Sequence, residues 1–131
     1  MTEYGEELES KFAPLPSDAV VYRAISKKRW VNTDTGEILP DAFFLRKGKG
    51  ETGLSVNIAA VCSPEDCAAR FTKCKFVASL QVGTVRNLGL DIIQDQHNHA
   101  NITGLPYRED DLAEALRLAS SLAKQSTTIQ I

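Results

Sequence analysis

The stretch Leu90–Pro106, LDIIQDQHNHANITGLP, decides how the rest of the chain is read. An apolar run (Leu90, Ile92, Ile93) leads into it and Gly-Leu-Pro closes it. Leu90–Gln94 therefore reads as a strand and the exit as a turn. Between them stand both histidines of the protein and a dense run of side-chain amides. Polar groups held between two such fixed points make a site or a well-bonded loop. Ala100–Ile102 follows as a further short strand.

Upstream, Ala19–Ile25 (AVVYRAI) is rich in β-branched and aromatic residues and reads as a strand. Its alternation sets Val20, Tyr22 and Ala24 on one face and Val21, Arg23 and Ile25 on the other. Ser26 is placed to cap a short helical turn carrying Trp30, and Asn32–Gly36 is turn chemistry. Ala42–Arg46, Leu54–Val61 and Phe76–Val82 read as further strands. Gly48–Gly53 (GKGETG) reads as a charged hairpin loop and Gly83–Leu88 as a turn. Ser63-Pro64-Glu65-Asp66 opens a helix expected to reach about Thr72: Ser caps, Pro takes the first position and the acids meet the positive end of the dipole. A second helix is expected over Glu109–Gln125, with Leu112, Ala115, Leu116, Ala119, Leu122 and Ala123 as its apolar stripe.

These elements give an α+β fold: a single domain with a mostly antiparallel sheet of five or six strands and a C-terminal helix packed on it. Its expected limits are 18–125, after an acidic, Pro-punctuated arm over 1–17 with a turn of helix at Glu6–Phe12. The tail, 126–131, is either frayed or a late edge strand.

A chain of 131 residues buries a core without disulfides or metal. The formal net charge of −2 excludes a global basic field for non-specific nucleic-acid binding. Local patches remain open, at Lys27, Lys28 and Arg29 and at Arg46, Lys47 and Lys49. No apolar run approaches a membrane span and MTEYGEELES lacks a signal-peptide core. With an odd number of cysteines, three, a reducing cytoplasm is the expected location.

Several motifs invite chemistry. His97 and His99 share a face of an extended strand, and Asp95 or a cysteine would complete a metal set, yet the spacing matches no metal signature. Cys62, Cys67 and Cys74 (C-x4-C-x6-C) read as small buried hydrophobes, with a Cys3His site through His97 or His99 as the alternative. GKGETG has neither the ending of a P-loop nor a helix behind it. No metal or cofactor is assigned.

The richest constellation is Arg23, Arg46, Ser55 and His99, each within or beside an expected strand. An arginine inside an apolar strand needs a carboxylate, a phosphate or carbonyls, because its charge is not buried unpaired. Asp91 or Asp95 would serve as an internal partner.

The order Tyr22-Arg23, Trp30-Val31, Ala42-Phe43, Gly53-Leu54-Ser55-Val56, Gly89-Leu90 and His99-Ala100-Asn101-Ile102-Thr103-Gly104-Leu105-Pro106 resembles a family of small uncharacterised bacterial proteins. Their marks are an aromatic-Arg pair, a Leu-Ser-Val strand and a His-Ala-x-Ile-x-Gly segment. A more distant likeness, to ADP-ribosyltransferase-type folds, implies that Arg23 holds a diphosphate and Ser55 shapes a nicotinamide pocket. Neither Asp91 nor Glu109 sits in the acid motif of that pattern.

The expectation is a cytoplasmic protein with a polar pocket for an anionic ligand, a nucleotide or nucleic-acid end. His99 and Ser55 are its catalytic candidates, and Arg23, Arg46 and Asn101 its ligand-binding ones. The alternative is a non-catalytic interaction module with a partner protein encoded in the same bacterial operon or defence system.

Overall fold

Residues 11–131 are described by the computed structural model. Alternation of side chains builds its sheet. In β1 (Val20–Ala24), Val21 and Arg23 point to one face and Tyr22 and Ala24 to the other, as the sequence pattern requires. Strand β1 lies inside a six-stranded antiparallel sheet, between β4 (Leu54–Ile58) and β5 (Phe76–Gln81). Beyond β4 follow β7 (His99–Thr103) and then β6 (Asp91–Gln96). Beyond β5 lies β8 (Thr127–Gln130), so the C-terminal residues form an edge strand. A separate two-stranded ribbon joins β2 (Val31–Asn32) to β3 (Glu37–Ile38) through the expected Asn32–Gly36 turn.

One sheet face is closed. Val21, Leu54, Val56, Leu80, Ile92 and Ile102 line it and pack against α2 (Val82–Arg86) and α3 (Leu112–Gln125). Asp111 caps α3 by accepting from the Glu114 N–H. The buried stripe of α3 is Ala115, Leu118, Ala119, Leu122 and Ala123. Leu112 and Leu116, expected in that stripe, are 61% and 46% exposed, and Leu118 takes their place. The result is a mixed α+β domain with the C-terminal helix on the sheet, as the sequence implies.

The opposite face is divided. Over β1 and β5 it is covered by α1 (Pro64–Ala68) in a small core of Ala24, Cys62, Cys67, Ala68 and Val77. Ser63 caps α1 and Pro64 opens it, as read from the sequence. The helix stops at Ala68, short of Thr72, because only Cys67 and Ala68 find a core; Phe71 stays exposed. Over β4, β7 and β6 that face carries Ser55, Asn57, His99 and Asn101, and among the described residues no helix covers it.

Other expectations need correction. Ala42–Arg46 is not a strand: Pro40 starts a 3₁₀ turn that drives Ala42 and Phe43 into the core beneath α3, leaving one bridge, Leu45 to Tyr107. Gly48–Gly53 is consequently no hairpin loop. A further 3₁₀ turn, Lys47–Lys49, runs into it and is closed by Gly50 in the left-handed region. The turn before Trp30 is capped by Lys27 rather than Ser26, without a side-chain bond. Val82–Arg86 is a short helix rather than a turn. Of the expected arm, residues 1–10 and most of its helical turn lie outside the described residues, whereas Leu15 is buried in the main core. Among the described residues no helix is long and apolar enough to cross a membrane.

Candidate functional site

Strand pairing assembles the site. Ser55 faces Asn101 across the β4–β7 ladder, and Asn57 faces His99. Ser55 and His99 are therefore diagonal neighbours on one face, a separation that an imidazole spans. Ser55 Oγ lies 2.5 Å from His99 Nε2. The other ring nitrogen, Nδ1, lies 2.7 Å from Asp95 Oδ1. Asn101 Nδ2 donates to the second oxygen of Asp95 at 3.0 Å. Hydroxyl, imidazole, carboxylate and amide thus form one continuous hydrogen-bonded chain.

Asp95 reaches this position through a break in the ladder. Gln94 pairs with Ala100 and Gln96 with His99, which leaves Asp95 as the extra residue of a β-bulge. Bulges re-aim a side chain in this way. The adjoining hairpin turn is tied down: the Asn98 carbonyl accepts from the Ile58 N–H and from Asn57 Nδ2, both at 3.1 Å. Burial pushes the Asp95 carboxyl up, but the bonds from His99 and Asn101 outweigh it and hold the group below the usual carboxylate range. The ionised carboxylate suits an acceptor that fixes Nδ1–H toward itself and leaves Nε2 to accept from the serine.

Beside this chain opens a groove of about 710 Å³. Asp95, Asn101 and Thr103 form one wall and Glu51, Thr52 and Gly53 the other. Gly53 is required by proximity: a Cβ there would stand 2.9 Å from Asn101 Cβ and 3.1 Å from the Ile102 carbonyl. The Glu51 wall is fixed by the Tyr107 hydroxyl, which donates to the Glu51 carbonyl, and by the bidentate Arg46–Glu51 pair.

The structure brings together Ser55, His99 and Asn101 and keeps both arginines out of their cluster. Arg23 points into the closed face, 6% exposed. Its Nε donates to the Ala42 carbonyl at 2.6 Å and its Nη1 to the Ser55 carbonyl at 2.9 Å. Trp30 and Phe43 rings lie 5.2 and 5.9 Å from the guanidinium carbon. Of the partners weighed for Arg23, carbonyls are the ones it takes: Asp91 pairs with Arg86 and Asp95 with His99. Burial pushes the Arg23 pKa down to about 10. Arg46 spends its fork on Glu51, which raises its pKa further.

His97 is exposed in the hairpin turn, and among the described residues no group of three or more His, Cys, Asp or Glu is placed to hold a metal ion. The residue whose role in this chain the sequence reading missed is Asp95. Its signal was the spacing Asp95-x3-His99-x-Asn101, which needs the bulge before it means anything. No family model, curated protein or solved structure matches this chain.

Proposed function

We propose that the protein is a small enzyme that uses Ser55 as a nucleophile toward acyl groups, esters first. The observation that carries this reading is the Ser55–His99–Asp95 chain on the open half of the sheet. Ser55 Oγ attacks the carbonyl carbon while His99 Nε2 takes the hydroxyl proton. Asp95 orients the ring and stabilises the imidazolium. The imidazolium then protonates the departing alkoxide, leaving an acyl-Ser55. Water, deprotonated by His99, attacks that ester; the acid departs and the proton returns to Ser55.

Acyl chemistry is favoured over phosphoryl transfer by the groove alongside, which Asp95 and Asn101 line and Ser55 and His99 do not. Among the described residues no lysine or arginine lines it, and Glu51 and Asp95 stand on its walls. A phosphoryl group would need cations there. Arg23 serves this site as a positioning residue, holding the Ser55 backbone from the opposite side of the sheet.

The test is labelling with a fluorophosphonate, which reacts at activated serines, together with turnover of p-nitrophenyl acetate. The expected adduct maps to Ser55 by mass spectrometry, and His99→Ala slows labelling by at least about a hundredfold. Labelling that is absent, that falls elsewhere, or that ignores His99→Ala sinks the proposal. A second reading, the interaction module, draws on a different observation: Leu112 and Leu116 stand exposed one turn apart on α3.

A further inference from the structure

A second groove, of about 670 Å³, lies where β1 ends after Ala24 and β5 begins at Phe76, and none of its lining residues belongs to the Ser55 site. Two segments make it, Ile25–Thr33 and Thr72–Phe76. They are held together by the Ile25 N–H, which donates to the Phe76 carbonyl at 3.0 Å. Each segment contributes two lysines: Lys27 and Lys28 from the first, Lys73 and Lys75 from the second. Among the described residues no carboxylate lines the groove, and none of the four ammonium groups takes part in an ion pair.

Four like charges around one concavity repel one another, and in a chain of net charge −2 they are not a general surface property. Such a cluster focuses a positive potential into the groove. The backbone adds an independent mark. Lys73 has φ of +60°, and among the described residues it is the only one other than glycine with positive φ. Glycine or asparagine is the ordinary occupant of that conformation. A lysine kept there at a conformational cost points to a use for its ammonium group. The remaining walls are hydroxyls, including Thr33 and Thr72, and an apolar side that includes Phe76. Hydroxyls add donors for phosphate oxygens, and the apolar side suits the flat face of a base.

We infer that this groove is a binding site for a nucleoside polyphosphate, its phosphates among Lys27, Lys28, Lys73 and Lys75 and its base on the apolar side. The volume falls in the range of small-ligand sites. The anionic ligand anticipated from the sequence is thereby assigned to lysines rather than to Arg23 and Arg46. The site stands whether or not Ser55 is a nucleophile.

The experiment is calorimetric titration of the full chain with ATP and with inorganic triphosphate at low and high salt. ATP is expected to bind more tightly than triphosphate, and both to weaken as salt rises. Lys27→Ala with Lys75→Ala should weaken ATP by at least about tenfold. Lys73→Gly is the second variant: it removes the charge and relieves the backbone, so the melting temperature should not fall while affinity drops. Absence of binding up to about 1 mM, or affinity indifferent to these substitutions, overturns the inference. So does tighter binding of a ten-nucleotide single strand than of ATP, which would make the groove a nucleic-acid track instead.

Discussion

At the scale of single residues, two charges meet burial in opposite ways. Arg23 is enclosed by the core, where among the described residues its charge meets carbonyls and rings and no carboxylate. Substituting Arg23→Met keeps the stem and deletes the donors, leaving the Ala42 and Ser55 carbonyls without them. A loss of about 3 kcal/mol in urea unfolding is expected. A loss below about 1 kcal/mol would mean that water replaces the guanidinium freely. Asp95 is the reverse case, half exposed and held ionised by its hydrogen bonds. Its folded pKa lies below the unfolded value of about 3.9. Its contribution to stability is therefore complete above that value and is lost as pH falls through the lower, folded one. The stability gap between the parent and Asp95→Asn should shrink as pH falls below about pH 4. A gap unchanged at pH 3 would show that the carboxylate's hydrogen bonds do not favour its ionised form.

At the scale of elements, α3 separates what the pattern conveys from what packing decides. Its end at Gln125 was legible, whereas its start, expected at Glu109, falls at Leu112 because Asp111 serves as the cap and not as part of the first turn. Its buried face was legible only in part, because Leu112, Leu116 and Leu118 offer two stripes of similar apolarity. The wall made by Ala42 and Phe43 selects the one containing Leu118 and Leu122. Leu118→Ala should cost about 3 kcal/mol and Leu116→Ala less than about 0.5 kcal/mol, read by denaturant unfolding. The opposite ranking would restore the stripe read from the sequence. The same division holds at the site. Ser55, His99 and Asn101 were readable as polar residues at alternate strand positions, but their meeting depends on which strands pair. Asp95 joins them through a bulge, and no local pattern announces an inserted residue. Arg23 was readable as an arginine in need of partners. That they would be carbonyls follows from Pro40, which opens a 3₁₀ plug over Pro40–Phe43 where a strand was expected and brings the Ala42 carbonyl to it.

At the scale of the molecule, one sheet face holds the fold and the other is divided between sulfur and polar groups. The closed face carries the larger core, and α1 adds a smaller one through the cysteines. Three free thiols lie in or against that smaller core, each bonded to a backbone carbonyl: Cys62 to Ser63, Cys67 to Tyr22, and Cys74 to Ile25 and Phe76. Burial pushes all three thiols up, Cys67 to about 12. The thiolate is the reactive form, so Cys67 at pH 8 holds a thiolate fraction about a thousandfold below that of a free cysteine. Its reaction with iodoacetamide must then await opening of the domain, since β1, β5 and α1 enclose it together. Cys74, half-buried, needs only local motion of its segment. Timed alkylation of the native protein, read by mass spectrometry, should modify Cys74 first and Cys67 last. The Cys67 rate should rise with urea in step with global unfolding. If Cys67 instead reacted as quickly as Cys74 without denaturant, α1 would open independently of the sheet. The divided face would then be a mobile flap over β1 and β5 rather than a second core.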